Sequence, residues 1–78
     1  MSGRFLINVK GMQCPTPLTV VSNELAKMSD GAEFEIVTDD FICFMMLQRF
    51  LRILNIKVKE AVQLDDGTYR IVGVKATS

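Results

Sequence analysis

The segment that most constrains this chain is residues 11–18, which read Gly-Met-Gln-Cys-Pro-Thr-Pro-Leu. Proline has no N–H and is tolerated in the first turn of a helix, where the N–H groups have no partner within the helix. Pro15 and Pro17 therefore predict a stiffened first helical turn, with Cys14 at or beside the N-cap. A thiol in that position faces unpaired N–H groups and the positive end of the helix dipole, and both favour the thiolate.

The residues on either side of this segment predict a strand before it and a helix after it. Apolar residues alternate through residues 4–9, as in a half-buried strand, so Phe5, Ile7 and Val9 are expected on one side. Residues 18–28 carry apolar side chains at helical spacing. The members of that predicted buried stripe are Leu18, Val21, Leu25 and Met28.

The second half of the chain predicts a strand over residues 32–38, a helix over 41–54 and two further strands. Asp39 and Asp40 are expected to cap the second helix. Residues 65–67, Asp-Asp-Gly, predict the turn of a hairpin that runs to residue 74 or 75. Before that turn, the expected apolar face of the third strand consists of Ile56, Val58, Val62 and Leu64.

This β-α-β-α-β-β order predicts a single domain over residues 1–78 of the α/β class. We expect a two-layer sandwich: a four-stranded mixed sheet with both helices on one face. The first two strands should be parallel with a right-handed crossover, and the last two should form an antiparallel hairpin. Both helices would then begin at the same end of the sheet, so Cys14 should lie near residues 41–46.

Composition excludes several classes of function. The formal net charge is zero and there is no basic block, which argues against general binding to nucleic acids or anionic membranes. The longest apolar run, residues 41–47, is far too short to span a bilayer, and no signal peptide is visible, so a cytoplasmic location is expected. The chain contains no histidine, which excludes a Cys–His dyad within one subunit. Two cysteines without histidine cannot complete a tetrahedral metal site, and we expect neither metal nor cofactor.

Residues 11–17 resemble the Gly-Leu-x-Cys-Pro-x-Pro signature of the TusA/SirA sulfur-carrier family. The acidic pair and the order of elements extend this resemblance over essentially the whole chain. The resemblance implies that Cys14 carries sulfane sulfur as a persulfide. Gly11, Met12, Pro15 and Pro17 would then shape the loop around the sulfur.

The same resemblance implies two kinds of partner protein. One is a sulfur donor, such as a cysteine desulfurase or a rhodanese-like protein, and the other is a sulfur acceptor. Acceptors of the family serve tRNA thiolation, molybdenum-cofactor maturation and sulfur oxidation, so the protein would be a carrier component and not a stand-alone enzyme. Two departures bear on the partner: Asn8 stands where the family often has aspartate, and residues 41–47 are apolar where it has polar residues.

The first two turns of the second predicted helix are apolar on all sides, which a small sandwich cannot bury completely. One interpretation is a docking surface for another protein or a second copy of this chain, formed by Phe41, Ile42, Met45 and Met46. The alternative is a core helix with some apolar residues left exposed. Its inward-facing residues would be Phe44, Leu47, Leu51 and Leu54.

Cys43 follows Cys14 by 29 positions and falls in the first turn of that helix. Its favoured interpretation is a packed apolar residue. The alternative is a second thiol that resolves a persulfide on Cys14 or forms a disulfide with it. Two rival functions therefore stay open: a thiol-redox module that uses both cysteines, and a regulatory interaction domain that uses the second helix.

Overall fold

Six elements follow one another within residues 4–75, the part of the chain that the computed structural model describes. They are β1 (Arg4–Asn8), α1 (Thr16–Ala26), β2 (Glu33–Thr38), α2 (Phe41–Ile53), β3 (Lys57–Gln63) and β4 (Tyr69–Val74). The predicted β-α-β-α-β-β order is confirmed. The proline-containing segment begins α1 two residues earlier than predicted, at Thr16, and the helix also ends two residues earlier than predicted, at Ala26.

The four strands form one mixed sheet in the order β1-β2-β4-β3. β1 pairs with β2 in parallel, with Ile7 opposite Ile36. β4 lies between β2 and β3 and is antiparallel to both. The carboxyl ends of β1 and β2 therefore point the same way, so the segments that lead into α1 and α2 leave the same end of the sheet.

The hydrophobic core fills the space between one face of the sheet and the two helices, which gives the predicted two-layer sandwich. Its buried residues are Ile7, Val9, Val21, Leu25, Met28, Phe34, Ile36, Phe44, Leu47, Leu51 and Ile71. The opposite face of the sheet carries charged side chains. There Arg4 contacts Glu33 at 2.7 Å, and Lys59 contacts the same carboxylate at 3.4 Å.

Two apolar residues are exposed although the sequence pattern grouped them with buried ones: Phe5, and Leu54 in the core-helix alternative. Phe5 has 53% of its surface exposed, against 4% for Ile7, because β1 is an edge strand and the core begins only at Ile7. Leu54, the C-cap residue that follows α2, has 44% of its surface exposed and lies past the buried stripe. The other three residues of that expected stripe, Phe44, Leu47 and Leu51, are buried as predicted.

The strict alternation predicted for residues 56–64 is wrong beyond Val58. The pairing of β3 with β4 shifts between Val58 and Glu60, so that Ala61 lies opposite Ile71. A bulge inserts one extra residue and exchanges the two faces of the strand beyond it. As a result Val58 and Ala61 pack against the core, whereas the sequence pattern assigned Ala61 to the other face.

Candidate functional site

The segment between β1 and α1 is held by backbone hydrogen bonds close to the end of the sheet. Val9 donates from its N–H to the carbonyl of Val37 on β2 at 2.9 Å, and Met12 donates to the carbonyl of Val9 at 3.2 Å. Gly11 between them has φ of 82°, in the left-handed region that glycine enters without steric cost. The segment thus turns sharply after the strand and leads towards Cys14.

Cys14 lies half-buried two residues before the first residue of α1. The peptide bond that follows it, to Pro15, is cis. Pro17 is the second residue of the helix, a position where its missing N–H is tolerated, and its side chain is buried. The predicted location of the thiol at a strand-to-helix junction therefore matches its place in the fold.

The donors of the first turn of α1 are occupied, which differs from the expectation of unpaired N–H groups beside the sulfur. Thr16 donates to the carbonyl of Gln13 at 3.1 Å, and Leu18 donates to the carbonyl of Pro15 at 3.0 Å. Pro17 has no N–H to offer. The tight turn before the helix supplies these acceptors, so any effect of α1 on Cys14 comes from the dipole and not from direct hydrogen bonds.

Cys43 is the third residue of α2 and is completely buried. Asp40 fixes this turn, since its Oδ1 accepts hydrogen bonds from the N–H groups of Ile42 at 2.8 Å and Cys43 at 3.2 Å. Cys43 forms a disulfide with Cys14, and their Cα atoms are 5.5 Å apart. The interpretation of Cys43 as a packed residue describes its burial, but the structure also pairs it with Cys14.

Asp39 performs a different task from the helix cap that the sequence predicted. Its Oδ1 accepts a hydrogen bond from the N–H of Gly11 at 3.1 Å. The cap of α2 is supplied by Asp40 alone. Asp39 therefore links the segment after β2 to the segment that carries Cys14, a role that no local sequence pattern signals because the two residues are 28 positions apart.

The four residues predicted as a docking surface are exposed on α2 beside Cys43. Phe41, Ile42, Met45 and Met46 have 53%, 61%, 52% and 42% of their surfaces exposed. We call these four residues the α2 apolar surface. Because Phe41 and Ile42 immediately precede Cys43, this surface adjoins the buried end of the disulfide.

An aromatic cluster that the sequence analysis did not anticipate supports this end of α2. Tyr69, the first residue of β4, stacks on Phe44 with ring centroids 4.7 Å apart and lies 5.8 Å from the ring of Phe41. Tyr69 pairs with Thr38 at the carboxyl end of β2, and this register places its ring at the same end of the sheet as the cysteines. Alternation in the hairpin gave no indication of this long-range contact.

The chain matches a known protein family. The family model described as "Sulfurtransferase TusA" matches residues 6–75. The protein belongs to the TusA family. This family membership implies a sulfurtransferase or sulfur-carrier role, and it confirms the resemblance seen in residues 11–17.

The same fold occurs in a solved structure. A SirA-like protein from Desulfitobacterium hafniense superimposes with a TM-score of 0.82 at 22% sequence identity. The match covers 94% of this chain and 99% of the other. No curated protein sequence matches the chain. The two-layer sandwich of this chain is therefore the same fold as that of the SirA-like protein.

Within residues 4–75, no group of three or more histidine, cysteine, aspartate or glutamate side chains is arranged to hold a metal ion. Neither helix in that range is long and apolar enough to cross a membrane. At this end of the sheet lie the two cysteine sulfur atoms and the Asp39 and Asp40 carboxylates that hold their segments.

Proposed function

We propose that this member of the TusA family is a sulfur carrier in which the reduced Cys14 accepts sulfane sulfur as a persulfide and passes it to a partner protein. The observation that carries the proposal is the position of Cys14. It lies half-buried in the family's cysteine-proline segment, at the end of the sheet where both helices begin. The protein would act as a component of a transfer chain and not as an enzyme with its own small-molecule pocket.

The transfer needs a thiolate and little else. The Cys14 thiolate attacks the outer sulfur of a persulfide on the donor, and the donor's own cysteine leaves as a thiolate. An acceptor thiolate then attacks the outer sulfur on Cys14 in the same way, which returns Cys14 to its reduced form. Neither step requires an oxidant. The attacking group in each step is already a thiolate, so a chain without histidine can take part in both.

The donor is proposed to be a cysteine desulfurase or a rhodanese-like protein, since both present sulfur as a persulfide. Acceptors would belong to tRNA thiolation, molybdenum-cofactor maturation or sulfur oxidation. A reducing compartment such as the cytoplasm keeps a thiol of this kind free, and we expect the protein there.

The α2 apolar surface is proposed to contact the protein that exchanges sulfur with Cys14. Phe41 and Ile42 immediately precede Cys43, whose sulfur is bonded to that of Cys14. A protein that reaches Cys14 with its own cysteine must therefore approach this end of α2. Met45 and Met46 add flexible, polarizable side chains one turn further along, which suit contact with more than one partner.

Sulfur loading of single-cysteine variants tests the proposal. The wild-type protein, Cys14→Ser and Cys43→Ser are reduced, freed of reductant and incubated with a cysteine desulfurase and radiolabelled cysteine. Mass spectrometry should show one added sulfur on the wild-type protein and on Cys43→Ser, and none on Cys14→Ser. Equal labelling of Cys14→Ser, or no labelling of any form with several donors, would exclude Cys14 as the carrier.

A thiol-disulfide redox protein is the second candidate, and the Cys14–Cys43 bond is the observation that favours it. Such a protein exchanges its disulfide with a substrate dithiol and needs no sulfane sulfur. It would reduce or oxidise a test peptide catalytically in glutathione buffer, and this activity would require both cysteines. A sulfur carrier would load sulfur on Cys14 even in the Cys43→Ser variant.

A further inference from the structure

The disulfide between Cys14 and Cys43 joins two segments whose positions are set by contacts other than the disulfide itself. Cys43 is fixed in the first turn of α2 by the Asp40 carboxylate, which accepts its N–H at 3.2 Å. The segment that carries Cys14 is attached through Gly11 to Asp39 at 3.1 Å. Parallel pairing of β1 with β2 brings both segments to the same end of the sheet. The two cysteines are therefore held within bonding reach by contacts that do not involve sulfur.

The two sulfurs differ in what can reach them. Cys43 has 0% of its surface exposed, whereas Cys14 is only half-buried. A protein or small molecule from solvent therefore reacts at Cys14. The Cys43 sulfur lies beneath Cys14, so a group from outside the chain reaches it only when that group is attached to the Cys14 sulfur.

The different exposure of the two sulfurs gives Cys43 a role that rests on the proposed sulfur-carrier function. We propose that Cys43 is the resolving residue of the Cys14 persulfide and releases its sulfur as sulfide. The Cys43 thiolate attacks the inner sulfur of the persulfide, the Sγ of Cys14. The sulfur–sulfur bond to the outer atom breaks, and that atom leaves as hydrosulfide.

Atoms and electrons balance without an external oxidant. One persulfide and one thiol give one disulfide and one hydrogen sulfide. The outer sulfur is reduced to sulfide, and the two cysteine sulfurs are joined in oxidised form. The product is the Cys14–Cys43 disulfide seen in the structure.

Recovery of the carrier then requires a dithiol reductant of the thioredoxin class. Because Cys43 is buried, the reductant attacks Cys14 and Cys43 leaves as the thiolate. The loaded protein thus has two outcomes. An acceptor that docks takes the sulfur intact, whereas a carrier that meets no acceptor discharges it as sulfide and stays oxidised until it is reduced.

Anaerobic discharge of the loaded protein tests the inference. Reduced wild-type protein is loaded by a cysteine desulfurase with radiolabelled cysteine, separated from the donor and kept without oxygen or acceptor. Labelled sulfide is trapped while the protein is weighed at intervals. We expect sulfide release and disulfide formation to proceed at the same first-order rate, independent of protein concentration. In Cys43→Ala the persulfide should persist, with release slowed about tenfold or more because the intramolecular nucleophile is gone.

The wild-type measurement does not depend on whether the variant folds, and the outcomes separate the two proposals. If neither the wild-type protein nor a folded Cys43→Ala gains sulfur on Cys14, and no labelled sulfide is released, the carrier function itself is wrong. If Cys14 gains sulfur and loses it without forming the disulfide, or if a folded Cys43→Ala releases sulfide at the wild-type rate, the carrier function stands and the resolving role of Cys43 is wrong.

Discussion

The carboxylate of Asp39 accepts a hydrogen bond from the N–H of Gly11 at 3.1 Å and so connects the two segments that bring Cys14 and Cys43 together. One segment follows β1 and the other follows β2. The Asp39 side chain thus forms a hydrogen bond from one segment to the other. The neighbouring Asp40 caps α2. The position of the Cys14 sulfur therefore depends on a residue outside the cysteine-proline motif.

Removal of this acceptor should loosen the Cys14 segment without unfolding the protein. Asp39→Ala is expected to lower the free energy of unfolding by about 1 kcal/mol, the usual net value of such a hydrogen bond. It should also speed amide exchange at Gly11 and slow sulfur loading of the reduced protein. Asp39→Asn keeps an oxygen acceptor in the same place and is the matched control. Similar exchange at Gly11 in both variants would contradict this role.

Reduction of the disulfide should destabilise the fold measurably. The bond closes a loop between residues separated by 29 positions. Restricting the unfolded chain with a loop of this length raises the free energy of unfolding by about 3–4 kcal/mol. Urea unfolding with and without dithiothreitol measures the difference. The double variant Cys14→Ser/Cys43→Ser should unfold at the same urea concentration in both conditions. A wild-type midpoint that ignores dithiothreitol would contradict the prediction.

Gly73 on β4 has no room for a side chain. A Cβ atom there would lie 2.6 Å from Cζ of Phe34 and 2.8 Å from the carbonyl oxygen of Lys57. Gly73→Ala is therefore expected to lower the free energy of unfolding by about 1–3 kcal/mol, as overpacking does elsewhere. Adding Phe34→Leu removes the ring but leaves the backbone oxygen. Phe34→Leu should then lower the free energy of unfolding by less in the Gly73→Ala background than in the wild type. Equal losses in the two backgrounds, measured by urea unfolding, would argue against the clash.

Stability should fall in acid through Glu33. The hydrogen bond from Arg4 holds the pKa of the Glu33 carboxyl below its usual value of 4.5. The unfolded chain then binds more protons than the folded one, so this contribution is complete above that value and is lost as the pH falls through the lower folded pKa. The urea midpoint of unfolding should depend less on pH in this acid range for Glu33→Gln and for Arg4→Gln than for the wild type. The double variant Arg4→Gln/Glu33→Gln should show no further loss of this pH dependence. If the losses in the two single variants add in the double variant, the two residues act separately.

Sulfur transfer should be sensitive to charge on the α2 apolar surface. Met45→Asp places a carboxylate among exposed apolar residues next to Cys43, and we expect the rate of transfer to an acceptor to fall about tenfold, which corresponds to loss of one important contact. Ile53→Asp is the matched control, because Ile53 is 71% exposed at the other end of the same helix. Equal loss in both variants would assign the effect to helix stability. Sedimentation of both variants and of the wild type tests the alternative that this surface joins two copies of the chain.

The sequence predicted most of the fold because its signals are local. Alternation, helical spacing, the prolines of residues 15–17 and the Asp-Asp-Gly turn each act over a few residues, and together they specified the element order and the single helical layer. The exchange of faces in β3 escaped this reasoning because a bulge depends on how two strands pair. The occupied donors of α1 escaped it too, since the acceptors lie in the turn before the helix.

The sequence by itself determined that a cysteine stands before a proline-initiated helix in a TusA-type domain, because short-range backbone preferences and a compact motif carry that information. Tertiary structure alone decided that Cys14 is paired with Cys43, that Asp39 holds Gly11 and that Tyr69 stacks on Phe44. Each of these contacts joins residues more than 20 positions apart. Their partners are chosen by strand order and register, which bring the ends of β1, β2 and the start of β4 to one end of the sheet.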